Sequence, residues 1–122
     1  MKVLKASESN KLSLSKKLQS DKPVLILYFA EWCGHCVAFK PTWDAIKKKL
    51  ETNKDIHVIE VENSNIKHLP KTNQSVQAFP TIQLIKKGKV KEYTGFRMMD
   101  SILSFVNTNI AKVKTIKDKA PK

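Results

Sequence analysis

The chain carries two cysteines, and both fall in one short run, Trp32-Cys33-Gly34-His35-Cys36. Two residues separate the thiols, so one turn of backbone can close them into a disulfide. A pair this close suits a dithiol that cycles between reduced and oxidised forms. As a structural staple it would close a loop of minimal size and remove little chain entropy. As a zinc site it would need two further ligands, and the histidines on offer, His35, His57 and His68, lack finger-like spacing. The chemistry these residues point to is therefore thiol–disulfide exchange. The attacking species in exchange is the thiolate, and a free cysteine has a pKa of about 8.5, so the surroundings must lower it.

Three local features predict that they do. The apolar run Val24 to Ala30 leads into the cysteines and a helical pattern follows, so Cys33 is expected where a strand gives way to a helix. Unpaired backbone N–H groups and the positive end of the helix dipole then face its sulfur. Cys36, one turn on, can donate a hydrogen bond to it, and His35 can add a positive charge or another donor. Cys33 is expected to be the exposed nucleophile and Cys36 the buried thiol that displaces the mixed disulfide formed on Cys33. Trp32 is expected at the rim, beside the dithiol and in reach of substrate.

The elements that must position this pair can be read from periodicity. Residues 1–6 suggest a short edge strand, and Ser7 to Gln19, with Leu12, Leu14 and Leu18, a helix that ends at Asp21-Lys22-Pro23. Val24 to Ala30 is apolar on both faces, which predicts a central strand covered on each side. From Cys33 or Cys36 to about Asn53, Phe39, Trp43, Ile46 and Leu50 recur at helical spacing, and Pro41 lies inside that stretch, where it should kink the helix. Ile56 to Val61 reads as a second core strand. Asn63 to Asn73 is polar and contains Pro70, leaving room for a short, broken helix at most. Ile82 to Ile85 and Val90 to Thr94 read as strands joined at Lys87-Gly88. Met98 to Ala111, with Ile102, Phe105, Val106 and Ile110, reads as a closing amphipathic helix. Alternating β and α, then a final hairpin and helix, argues for an α/β sandwich with a mixed sheet.

The 122 residues argue for one domain, 1–111, followed by a basic tail, 112–122. No apolar run reaches the roughly 18–20 residues needed to cross a bilayer. The first residues, Met1 to Glu8, show no extended apolar region and hence no secretory signal, which favours a cytoplasmic chain over one whose endoplasmic-reticulum signal has been removed. Net charge is +12, from 23 basic and 11 acidic residues. The lysines are scattered and Arg97 is the only arginine, so a solvated surface is favoured over a nucleic-acid or other polyanion site.

Taken together, these residues resemble the thioredoxin superfamily and, within it, the protein disulfide isomerase type. The resemblance covers roughly Asp21 to Asn107 and rests on Ala30-Glu31-Trp32-Cys33-Gly34-His35-Cys36, on Pro41, on Ala78-Phe79-Pro80-Thr81, on the Lys87-Gly88 hairpin and on Tyr93-Thr94-Gly95-Phe96-Arg97. It implies the thioredoxin fold, a central mixed sheet sandwiched between helices. It implies that Pro80 is a cis-proline facing the dithiol and that the backbone of Phe79 pairs with an extended substrate segment. Gly95 and Phe96 would form the opposite lip of that groove, with Trp32, Gly34 and His35 completing it. Arg97 would approach the resolving cysteine and lower its pKa. The reaction expected is exchange of protein disulfides by a monomer, with a thiol electron donor or acceptor and no metal or organic cofactor beyond the Cys33–Cys36 disulfide. The rival expectation is a thioredoxin-fold adaptor or chaperone with a weak dithiol. Two departures stand out. The family's buried Asp or Glu, six residues before the first cysteine, is Leu27 here, and the lysine frequent after the second cysteine is Val37. Without a carboxylate to take the resolving thiol's proton, resolution of mixed disulfides is expected to be slow.

Overall fold

A computed structural model describes residues 3–119, with side chains described as far as Ile110. Five strands, β1 (Val3–Lys5), β2 (Val24–Phe29), β3 (His57–Glu62), β4 (Thr81–Lys86) and β5 (Lys89–Glu92), form one sheet in the order β1-β3-β2-β4-β5. β1 and β2 each run parallel to β3, while β4 is antiparallel to both β2 and β5. The sheet is therefore mixed, as the sequence predicts. β2 lies at its centre, and its first five residues, Val24 to Tyr28, are buried. Such a strand must be apolar on both faces, because helices cover both.

The helices α1 (Lys11–Gln19), α2 (Gly34–Leu50) and α3 (Met99–Lys119) divide between the two faces. Leu25 and Leu27 of β2 point to one side, against Phe39, Trp43, Ile46 and Leu50 of α2 and Ile102 and Val106 of α3. Val24, Ile26 and Tyr28 point to the other, against Leu14 and Leu18 of α1 and Leu69. Each of these large side chains contributes about 1.5–3 kcal/mol by leaving water. The period of two along β2 and of three to four along α2 is thus what builds the sandwich.

Several expectations shift in detail. Leu12 leaves the buried face of α1 and is exposed. Asn63 to Asn73 forms no α-helix but two 3-10 turns, Asn63–His68 and Lys71–Asn73, separated at Pro70. Tyr28 holds this segment down by donating its hydroxyl to the Asn73 carbonyl at 3.2 Å. Met98 precedes α3 rather than packing within it, and α3 runs past the expected end at Ala111 to Lys119, so the expected tail overlaps the helix; its last residues, 120–122, lie outside the described ones. The Lys87-Gly88 turn has φ of 51° and 78°, both positive, as a tight two-residue hairpin with the twist of its strands requires. Pro41 sits within α2, which is assigned without a break from Gly34 to Leu50; lacking an N–H, it gives nothing to the Val37 carbonyl one turn back.

Candidate active site

β2 ends at Phe29, the chain turns, and α2 begins at Gly34 with Cys33 as its N-cap, φ −86° and ψ 116°. A cap residue stands in extended backbone while its side chain faces the free N–H groups of the first turn. Here the acceptor is sulfur: Cys33 Sγ takes the backbone N–H of Cys36 at 3.3 Å. The Cys33 thiol also reaches the Phe79 carbonyl at 3.5 Å. The dithiol is thus fixed by the first turn of α2 on one side and by the segment leading into β4 on the other.

The expected contrast in exposure is absent, since Cys33 and Cys36 are each 8% exposed. The contrast is electrostatic instead. The Cys33 pKa is lowered, first by the hydrogen bond from the Cys36 side chain; desolvation opposes this next, and the backbone N–H groups of Cys36 and His35 lower it further. Cys36 is pushed up to about 11, first by burial and then by its own hydrogen bond to Cys33. Burial of Cys36 and the hydrogen bond between the two side chains therefore separate the thiols in acidity, favouring the thiolate at Cys33 and the protonated thiol at Cys36. Arg97 lowers both, as the smallest of the named causes. His35 differs from expectation: its imidazole is exposed and is not among the groups shifting either sulfur, whereas its backbone N–H is.

Of the remaining candidates, Phe79 packs beside this pair and Trp32 meets Phe79, while Gly95 and Phe96 are fixed by Tyr93 in a separate loop. The Phe79–Pro80 peptide is cis, Pro80 is buried, and Phe79 packs against the cluster of Ala30, Cys33 and Cys36. Trp32, 73% exposed, meets Phe79 edge to face with ring centroids 6.0 Å apart. At Gly34 an added Cβ would meet nothing within 4 Å, so the surface beside Cys33 is open. Gly95 and Phe96 share a loop with Arg97, and Phe96 is 82% exposed. Tyr93 shapes that loop. Its ring packs against Phe105 with centroids 5.2 Å apart, and its hydroxyl donates to the Phe96 carbonyl. A Cβ on Gly95 would stand 2.7 Å from the Tyr93 hydroxyl oxygen. Gly95→Ala is therefore expected to push that hydroxyl off the Phe96 carbonyl. The expected stability loss is about 1 kcal/mol, read by urea denaturation.

One set of residues was not foreseen from sequence. Glu60 of β3 is the one buried polar or charged residue among the described residues. Its Oε2 accepts from the Trp43 indole N–H at 2.7 Å and from Lys47 Nζ at 2.6 Å. Lys47 also reaches Asp44 at 3.3 Å. The available signal was a glutamate standing two residues from Val58 on a core strand, which places it on the same buried face.

A family model described as Thioredoxin matches residues 4–108. The chain is 35% identical over 98 residues to a protein disulfide-isomerase of Arthroderma benhamiae, covering 75% of this chain and 18% of that one. It is 35% identical over 96 residues to a thioredoxin of Rickettsia prowazekii, covering 76% of this chain and 87% of that one. It spans about one fifth of the length of the relatives named as disulfide isomerases. Among solved structures, the J-Trx1 fragment of ERdj5 superposes with a TM-score of 0.74 at 15% identity, over 89% of this chain and 52% of that one. A strand–dithiol–helix unit, a cis Phe79–Pro80 peptide whose Phe79 packs beside it and a matched family model thus agree: the chain belongs to the thioredoxin family.

Proposed function

We propose that the chain is a protein thiol–disulfide oxidoreductase, with Cys33 attacking and Cys36 resolving. The observation that carries this reading is Cys33 Sγ capping α2, where it accepts the Cys36 backbone N–H; hydrogen bonding holds the Cys33 thiol below its ordinary pKa, while burial above all holds Cys36 above its own. The Cys33 thiolate attacks a substrate disulfide, forming a mixed disulfide and releasing one substrate thiolate. Cys36 then loses its proton and attacks Cys33, closing the Cys33–Cys36 disulfide and releasing the second substrate thiolate. A partner dithiol or disulfide resets the pair.

The substrate segment lies along the backbone beside Phe79, between Trp32 and the Phe96 loop, both of which offer exposed aromatic surface. The lowered pKa of Cys33, to which the His35 backbone N–H contributes, stabilises the reduced pair and supports a poise nearer the isomerase value of about −180 mV than thioredoxin's of about −270 mV. Likeness to proteins named as disulfide isomerases supports the same reading.

Alkylation kinetics test it. The thiolate is the reactive form, and a lowered pKa keeps it populated at lower pH. Cys33 is therefore expected to react with iodoacetamide well below the pH range of a free cysteine, its rate falling only as pH drops through the lowered pKa. A rate profile matching free cysteine would remove the basis of the proposal.

A further inference from the structure

We infer that Glu60, acting through water in the cavity it shares with Cys36, accepts the proton of Cys36 during resolution of the mixed disulfide. This rests on the exchange reading above and deepens it. In the strand register Leu27 stands beside Glu60, and Lys5 beside Glu60 on the other side. The carboxylate that Leu27 cannot supply is therefore present one strand over, in the same row and on the same face of the sheet. A cavity of about 490 Å³ is lined by Leu27, Cys36, Trp43, Lys47, Glu60 and Pro80 among others. Positions 36, 43 and 47 fall on one stripe of α2, and the rise from 36 to 43 is about 10 Å. Glu60 is held at the Trp43 and Lys47 end of that stripe and Cys36 stands at the other, so the route between them runs through water, which a cavity of this size with polar walls can hold.

The charge around the route is mixed. Lys5 of β1, Glu31 before α2, Lys40, Asp44 and Lys47 of α2, and Glu62 of β3 share the cavity wall with Glu60, and Arg97, in the loop before α3, acts on both sulfurs through its charge. Lys47 pairs with Glu60 directly, Nζ to Oε2 at 2.6 Å, so the buried carboxyl group has a cation as its partner. The need for an acceptor is severe, because a thiol pushed up to about 11 is ionised in only about one molecule in 10⁴ at neutral pH. The step balances: the S–H bond of Cys36 breaks, its proton passes to Glu60 and then to solvent, the new S–S bond forms to Cys33, and the leaving sulfur departs with its electron pair.

Single-turnover reaction of the reduced protein with the aromatic disulfide 5,5′-dithiobis(2-nitrobenzoate) tests this. One thionitrobenzoate leaves when Cys33 attacks and a second when Cys36 resolves, giving two phases. In Glu60→Gln the first phase is expected to keep its rate, while the second slows by roughly tenfold or more near neutral pH. In alkaline solution, where hydroxide takes the proton, the second phase of the variant should converge with that of the unaltered protein. A slowing equal at every pH would mean a structural role and would overturn the inference. So would an acceleration, the outcome of merely removing a negative charge near Cys36. A first phase no faster than a free thiol's in the unaltered protein would instead sink the exchange reading. If Glu60→Gln does not fold, Lys47→Gln gives a second arm. It leaves the carboxylate but removes its cation, so the acid limb of the second phase should move to higher pH; an unmoved limb would overturn the inference.

Discussion

Cys33→Ser is expected to abolish disulfide exchange, with turnover of insulin disulfides falling by about 10³-fold or more, equivalent to about 4 kcal/mol of barrier. The serine hydroxyl keeps the cap position and can still accept the Cys36 N–H, so the fold should survive. What is lost is the nucleophile, because an alcohol at the mouth of α2 is not ionised by hydrogen bonds that suffice for a thiol. Cys36→Ser should behave differently. Cys33 still attacks, but nothing displaces the substrate, so the protein should accumulate as a covalent adduct visible on a non-reducing gel and released by dithiothreitol. The two variants together separate attack from resolution. Equal activity of Cys33→Ser and the unaltered protein would contradict the assigned roles.

The second large effect concerns the frame. Ile59→Ala is expected to destabilise the fold by about 2–5 kcal/mol, read as a lower urea midpoint at unchanged slope. Ile59 is completely buried in β3, beside Leu4 of β1 and Ile26 of β2. It packs with Leu14 and Leu18 of α1, so the cavity left by truncation has walls on every side that cannot collapse into it. A domain with 5–15 kcal/mol of total stability loses a large fraction of it this way. Val90→Ala on β5, where the side chain is exposed, should change the midpoint by no more than about 0.5 kcal/mol. The contrast tests whether stability resides in the parallel half of the sheet.

The frame and the dithiol were legible in sequence for definite reasons. Val24 to Ala30 could only be a doubly covered strand, and the Phe39, Trp43, Ile46, Leu50 spacing could only bury one face of a helix. The cysteines, alone in the chain and two residues apart, announced their chemistry. What was not legible depended on juxtaposition across strands. Along β2 alone Leu27 is simply a missing carboxylate; only the register across strands shows that Glu60 stands beside it. The role of His35 was assigned to its ring because the ring is what distinguishes the residue; in the fold its backbone N–H is the group that acts on Cys33. Equal exposure of the two sulfurs was hidden for a similar reason, since the Phe79 segment that covers Cys33 is distant in the chain.

The outermost strand, β5, has a consequence for how copies of the protein behave when crowded. All four of its residues face solvent, and two of them, Lys89 and Lys91, are cationic. A free sheet margin is a template for adding strands, and lysines along it are a recognised safeguard. Two copies approaching margin to margin would press ammonium groups together and strip them of hydration, on chains already carrying +12. Concentrated samples should therefore resist fibre-like stacking along this side, and should lose that resistance as added salt shields the lysines.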